Sequence, residues 1–404
     1  MTQVSLIVKK FGGSSVAGNE RLRRVAEIVT GSHKLGHQVV VVVSAQGDTT
    51  DDLLEKAENL NKSASRREMD MLLACGEQMS ASLLAIAIEK LGFPVISLTG
   101  WQAGMQTDSD HSSARIKKID PERVRMELDK HNIVVIAGFQ GINKFGDVTT
   151  IGRGGSDTTA VAFAAALKAD LCKIYTDVDG VYTADPRLVP EARKLGEISF
   201  DEMLELASLG AQVLASRSVE MAKRFRVKLE VLSSFRDCPG TVVKEVVKME
   251  NMQVSGVARD NNVARIALIG LADVPGVASR IFSLLAQHKI NVDIILQSIG
   301  RHDTKDISFT IAKNNLPEAR ALMEDHRGSL CYEALVVSDQ ISKVSAVGAG
   351  MVNNPGVAAR MFEALAGAGV NIQMISTSEI KVSVLIDVAD SDRAVQVIHQ
   401  EFFG

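Results

Sequence analysis

Two glycine-rich segments carry the residues best suited to meeting phosphate. KKFGGSSV (Lys9–Val16) sets lysines, two adjacent glycines and two serines between a strand-like run and a helical stretch. Glycine lets the backbone approach an anion, its N–H groups point at oxygens, and Lys10 adds a full positive charge. IGRGGSDTTA (Ile151–Ala160) has the same loop-to-helix layout, with Ser156 or Asp157 where a helix N-cap is expected. An isolated Asp157 reads as that cap; beside Arg153 and two glycines it becomes a candidate site wall. Three further segments follow the same logic. SAQGDTTD (Ser44–Asp51) is hydroxyl-rich, and LLACGEQMSA (Leu72–Ala81) holds Glu77 among apolar neighbours, where a carboxylate needs a partner. In YTDVDGVYTADPR (Tyr175–Arg187), Asp177, Asp179 and Asp185 are turn formers by default. No GxxxxGK[ST] occurs and the protein-kinase signature set is absent.

The elements that must position these loops alternate. Continuous β-branched runs at Val4–Val8, Val39–Ser44, Val95–Leu98, Ile133–Ala137 and Leu171–Thr176 predict strands covered on both faces. Helices are predicted at Asn19–Ser32, Asp51–Leu60, Arg66–Leu91, Pro121–His131 and Asp157–Lys168. This is the signature of an α/β domain with a largely parallel sheet, whose ligands sit at the carboxyl ends of the strands.

Later the chain repeats itself. PGVASRIFSLLAQHKIN (Pro275–Asn291) and PGVAARMFEALAGAGVN (Pro355–Asn371) share Pro, Gly, Val, Ala, Arg, Phe, Leu, Ala and Asn at matching positions. Each copy reads βαββα, and the first is completed by a strand at Tyr332–Val337. The second ends on a helix, Ser391–Phe402, so Gln253–Ala258 is expected to supply its missing strand. The loops Asp273–Ala278 and Asn353–Ala358 each open a helix whose free N–H groups suit a ligand carboxylate. A single Pro-Gly turn would be simple helix initiation. Two copies with the same following Asn favour a small-ligand sensor, and the layout resembles a tandem ACT domain pair.

Composition narrows the class. Hydrophobic residues make up 46%, charged residues 23% and aromatics only 4% of 404 residues, so the core must be aliphatic. A formal charge of −4 argues against nucleic acid or an anionic membrane as the main partner. Cys75, Cys172, Cys238 and Cys331 are too scattered for a disulfide framework or zinc site, which fits a reducing cytosol, and no resident metal site is expected. The start, VSLIVKKFGG, lacks a signal-peptide layout, and apolar runs such as Val39–Val43 are too short to span a membrane.

Taken in order, KFGGSS, the SAQGDTT loop, the GE helix, GRGGSD and TDVDGVYTADPR resemble the signatures of the aspartokinase family. With the ACT-like pair the resemblance covers essentially the whole chain. It implies an amino-acid kinase fold (a central, mostly parallel sheet with helices on both faces) followed by two α+β ferredoxin-like ACT modules. Expected boundaries are 1–245 for the catalytic domain, 264–340 for the first ACT domain and 341–404 for the second, completed from about 251–260. The implied reaction is phosphorylation of the aspartate β-carboxylate by ATP with Mg²⁺, in the cytoplasm. Lys10, Arg153 and Asp157 would be catalytic, and Lys10, Phe11, Gly12, Gly13, Thr176, Asp177, Tyr182, Asp185 and Arg187 would hold ATP. Ser44, Thr50, Glu77, Arg153, Gly154, Gly155 and Ser156 would bind L-aspartate, with Glu77 on its ammonium. Asp273, Ala278, Asn291, Asp293 and Gln297 would meet the effectors lysine and threonine, singly or together, in a homo-oligomer dimerised through ACT domains. Gln212 departs from the pattern, where a lysine near the nucleotide is usual; Gln212→Lys should lower the KM for ATP. A different class of reading is an amino-acid sensor with a degenerate, non-catalytic kinase domain.

Overall fold

The computed structural model describes residues 5–209, 213–245, 253–300, 303–354 and 356–404. They form two compact units. The first opens with β1 (Leu6–Phe11), α1 (Gly13–Val16), α2 (Gly18–Lys34), β2 (Gln38–Val43), α3 (Thr49–Leu60), α4 (Arg66–Lys90) and β3 (Val95–Leu98). Next come β4 (Met105–Thr107), β5 (Ile116–Ile119), α5 (Glu122–Asp129), β6 (Ile133–Ala137), β7 (Gln140–Ile142), β8 (Val148–Thr150), α6 (Gly155–Leu167) and β9 (Leu171–Thr176). It closes with β10 (Glu197–Ser199), α7 (Phe200–Ser208), α8 (Ser216–Phe225), β11 (Leu229–Ser233) and β12 (Thr241–Lys244).

Eight strands form the main sheet in the order β10-β12-β11-β9-β1-β2-β6-β3, parallel from β11 to β3. Val39–Val43 and all of β6 are buried, because helices cover the sheet on both faces. Val39, Val41 and Val43 pack with Leu22, Val25, Leu84 and Ile88 of α2 and α4. Each such side chain contributes roughly 1.5–3 kcal/mol by leaving water. Registers align Phe11 with Val43 and Tyr175, and Val43 with Ala137, so the loops after β1, β2, β6 and β9 leave from one edge.

The structure corrects several sequence expectations. The first strand runs through Lys9 and Lys10 to Phe11 rather than ending at Val8. A small sheet, β5-β4-β7-β8, was not foreseen, because strands of three or four residues leave no periodic signal. Among the described residues, α4 is the one helix long and apolar enough to cross a membrane by length and composition. Its inner face buries Asp70, Ala74, Gly76, Glu77, Ser80 and Leu84 within the unit.

The second unit contains Thr183–Ala192 and the described chain from residue 253 onward. Its strands are β13 (Gly256–Asp260), β14 (Val263–Ala272), β15 (Val292–Gln297), β16 (Thr304–Ala312), β17 (Ala334–Ser338), β18 (Ile341–Val347), β19 (Met374–Ser378) and β20 (Lys381–Asp387). Its helices are α9 (Val277–Gln287), α10 (Leu316–Asp325), α11 (Arg327–Leu330), α12 (Val357–Gly367) and α13 (Ser391–Phe403). Two four-stranded antiparallel sheets result, β15-β16-β14-β17 and β13-β18-β20-β19. The outer strand β13 comes from upstream of the first repeat and pairs with β18 from Gly256↔Val347 to Asp260↔Lys343. Val263, Ile294, Ile341, Met374 and Leu385 make a small apolar cluster with members from both sheets. Thr183–Ala192 is bound into this unit: the Val257 N–H donates to the Thr183 carbonyl at 2.7 Å, and Ala184 and Val189 join the core of the second sheet.

Candidate active site

Strand alternation separates the two lysines of β1. Lys9 turns toward α2, buried, with Nζ donating to the Ile28 carbonyl at 2.8 Å and facing the Tyr175 ring. Burial, then the nearby Lys173 charge, lowers its pKa to about 7. Lys10 turns the other way and pairs with Asp157 Oδ1 at 2.7 Å. Neither Ser156 nor Asp157 caps α6: the cap position is Gly154, left-handed at φ 69°. Asp157 sits inside the first turn, where its carboxylate is drawn to Lys10. The pair is largely enclosed, each side chain keeping little more than a tenth of its surface.

The glycines after β1 pack closely against their surroundings. A Cβ on Gly12 would press on Lys10 Nζ at 3.3 Å, and one on Gly13 would lie 2.7 Å from the Ala45 carbonyl. The Gly12 N–H is directed at the Tyr175 carbonyl, 3.4 Å away. Gly13→Ala is therefore expected to push the Ala45 loop outward, costing on the order of 1–3 kcal/mol of stability. Activity should fall roughly tenfold or more. Thermal melting and steady-state rates check this; a variant with wild-type values for both would show that the close approach has no importance.

The loop after β2 is fastened to this floor. Ser44 N–H donates to the Phe11 carbonyl and Gly47 N–H to the Gly13 carbonyl. Ala45 N–H donates to Glu77 Oε1 at 3.1 Å, so α4 delivers its carboxylate to the same edge. Glu77 is buried, and burial pushes its pKa up to about 7, partly offset by the Ala45 hydrogen bond. Its Oε2 has no hydrogen-bond partner among the described residues. Such an acceptor fits an incoming cationic donor. Ser44 and Thr50 are half-buried and Arg153 is exposed. Gly155 and Ser156 are packed tightly: a Cβ on Gly155 would strike Phe139, and Ser156 lies against Gly138.

On the far side of β1, Thr176 Oγ1 donates to Asp177 at 3.0 Å and Asp177 is exposed. Tyr182 donates its hydroxyl to Asp179 at 2.8 Å, and Lys194 approaches the same carboxylate at 3.4 Å. The Tyr182 phenol is raised by burial and by that bond. Asp185 and Arg187 pair with each other at 2.7 Å in the segment Thr183–Ala192, which belongs to the second unit. Gln212 lies outside the described residues.

Of the effector candidates, Asp273 pairs with Lys305 at 2.8 Å, and Ala278 is half-buried on α9. Asn291 and Gln297 are exposed on or beside β15. Asp293 is engaged by Lys343 of the second repeat at 2.5 Å. An ion pair bridging the two repeats therefore holds a carboxylate assigned to the effector.

Several site-supporting residues escaped the sequence reading. Fully buried Asp70 accepts from Ser112 N–H, Thr150 N–H and Thr150 Oγ1, and meets His111 at 2.9 Å. Arg217 donates to the carbonyls of Ile151 and Ala114. Together they brace the root of the Arg153 loop. Ser234, after β11, bonds Ser15 and the Thr176 carbonyl. Phe139 holds a positive φ of 69° beside Gly138. Only Phe139 lay next to a glycine that hinted at a turn.

The chain matches the amino acid kinase family model over residues 5–233 and the ACT domain model over 266–326 and 344–402. An aspartokinase of Mycolicibacterium smegmatis is 51% identical, covering 99% of this chain and 96% of that protein. One from Bacillus sp. (strain MGA3) is 50% identical over 99% of this chain and 97% of its own. Among solved structures, E. coli aspartokinase III in complex with aspartate and ADP (R-state) superposes with a TM-score of 0.83 at 26% identity, covering 99% and 100% of the two chains. The same enzyme with lysine and aspartate (T-state) gives 0.73 at 25% identity, over 99% and 100%. With a family model across more than half its length and relatives near 50% identity end to end, the chain belongs to the aspartokinase family of amino acid kinases, a family of phosphotransferases.

Proposed function

We propose that the chain transfers the γ-phosphate of ATP to the β-carboxylate of L-aspartate, giving 4-phospho-L-aspartate and ADP. The observation that carries this is one sheet edge offering both signs of charge: the enclosed Lys10–Asp157 pair and the unpartnered Oε2 of Glu77. A carboxylate is already ionised near neutral pH, so no general base is required. One carboxylate oxygen bonds to the γ-phosphorus as the bond to the β,γ-bridging oxygen breaks, and ADP leaves with that electron pair. The barrier is repulsion between anions, so positioning and charge neutralisation dominate. Lys10 meets the phosphoryl oxygens and Asp157 holds Lys10 in place. Arg153 takes a substrate carboxylate, with Ser44 and Thr50 as hydroxyl partners, and Glu77 takes the ammonium. Thr176, Asp177, Tyr182, Asp185 and Arg187 serve the nucleotide. Mg²⁺ would arrive on the phosphates of ATP.

Residues 1–245 would house catalysis in the cytoplasm. The modules at 264–340 and 341–404 would bind lysine, threonine or both and join subunits into a homodimer. The relative solved with lysine and aspartate supports an amino-acid effector. The discriminating experiment is ADP release with ATP and aspartate, glutamate or acetylglutamate, with and without lysine plus threonine. Turnover restricted to aspartate and suppressed by the amino acids is expected. Absence of turnover with every acceptor would favour a non-catalytic sensor.

A further inference from the structure

Arg153 stands in a loop that its own residues do not stiffen. The glycines on either side of it, Gly152 and Gly154, both hold the left-handed region, at φ 82° and 69°. Glycine leaves the backbone many conformations to choose from, so the position of Arg153 is set by what the loop is pinned to. On the α6 side the pin is Ala215. A Cβ on Gly154 would collide with the Ala215 methyl group, and the Ala215 N–H is directed at Asp157 Oδ2, 3.4 Å away. On the other side the pin is the end of β8, and there the contacts converge on Asp70.

Asp70 is fully buried on α4, about two helical turns before Glu77. Both of its oxygens accept from the Ser112 N–H at 3.0 Å. Oδ1 also accepts from Thr150 Oγ1 at 2.6 Å. Oδ2 takes the Thr150 N–H at 3.1 Å and faces His111 Nδ1 at 2.9 Å. Ser112 is not a glycine, yet its φ is 70°. A residue with a side chain keeps that conformation only where its surroundings hold it there, and the forked carboxylate does so. The Ser112 turn in its place backs the loop: a Cβ on Gly152 would lie 3.4 Å from the Ser112 carbonyl oxygen. One carboxylate thus fastens both the turn behind Gly152 and the strand end that leads into Arg153.

We infer that Asp70 is a positioning residue for Arg153, fixing the loop so that the guanidinium meets a carboxylate of the acceptor whose ammonium Glu77 takes. The inference rests on the proposed role of Arg153 toward substrate. One helix then defines both ends of the acceptor site, Glu77 by contact and Asp70 through the loop. A double-mutant cycle in the full-length chain tests this. Arg153→Ala should raise the KM for aspartate by a factor of roughly 10². Asp70→Asn sets an amide N–H against the donors of Ser112 and Thr150, so the root of the loop shifts. The KM for aspartate should then rise roughly tenfold and that for ATP by no more than about twofold. In the Arg153→Ala background the same substitution should add less than about twofold, because the group it positions is gone. A carboxylate that only stabilised the fold would multiply with Arg153→Ala instead. Thr150→Val removes one donor from Asp70 and keeps the side chain's shape, so it carries the test where Asp70→Asn does not fold. Its expected rise is about threefold, with the same dependence on Arg153. An unchanged KM for aspartate in Arg153→Ala would remove the role assigned to Arg153, and this inference with it. Where Arg153→Ala does raise that KM, three results overturn the Asp70 inference alone: silence of both network variants, effects that multiply with Arg153→Ala, or an equal rise in the KM for ATP.

Discussion

Lys10→Ala is expected to lower kcat by a factor of roughly 10²–10³ while changing the KM for aspartate little, the size seen when one preorganised charge facing a transition state is removed. Lys10 is held by Asp157 at 2.7 Å in an enclosed pair, so its position is fixed before any phosphate arrives. Truncation also leaves the Asp157 carboxylate without its cation, a further penalty on bringing an anion nearby. Steady-state kinetics separates the parameters, and the melting temperature controls for misfolding. A folded variant with unaltered kcat would remove Lys10 from the chemistry. Equal damage from Lys9→Ala and Lys10→Ala, through KM alone, would move the cation's role to nucleotide binding.

Glu77→Gln should have the opposite character. The KM for aspartate should rise on the order of 10²-fold with a smaller change in kcat, because a buried charge partner of the ammonium is lost. The same substitution should stabilise the free protein above neutral pH. Burial holds the Glu77 carboxyl near 7, against 4.5 when unfolded. Folding therefore disfavours its ionised form. That cost is absent below pH 4.5, grows as pH rises, and is complete above about 7, where it amounts to about 3 kcal/mol. Glutamine keeps the shape without the charge, so its gain in melting temperature should appear at pH 8 and vanish near pH 4.5. In the wild type, affinity for aspartate should drop as pH falls below 7 and Glu77 protonates, and the glutamine variant should lose that dependence. A pH-independent KM in the wild type would mean that the ionised carboxylate does not contact the substrate.

Much of this was legible in the sequence for identifiable reasons. Val95–Leu98, Ile133–Ala137 and Leu171–Thr176 were delimited correctly, and Ile133–Ala137, buried throughout, is the uninterrupted apolar run that a parallel strand covered on both faces leaves. Lys10 and Asp157 drew attention through their glycines, but their direct pairing did not, since 147 residues separate them and only the β1–α6 packing joins them. Glu77 stood out as a carboxylate among apolar residues. Asp70, seven residues earlier on the same helix, did not, although its burial is more complete. Its partners are the Ser112 backbone, in the turn between β4 and β5, and Thr150 of β8, in a small sheet too short to announce itself. The Asp293–Lys343 bridge was invisible because neither repeat implies what the other places against it.

The path of the chain through Thr183–Ala192 limits how the protein can be divided. That stretch contributes Ala184 and Val189 to a hydrophobic cluster otherwise built from the last 150 residues, yet its neighbours in sequence, Tyr182 and Arg193, belong to the kinase unit. A gene cut near codon 250 would leave the upstream product with a greasy hook lacking its socket and the downstream product with a socket lacking its hook. Co-expressed halves should rescue each other's solubility, whereas either half made alone should aggregate.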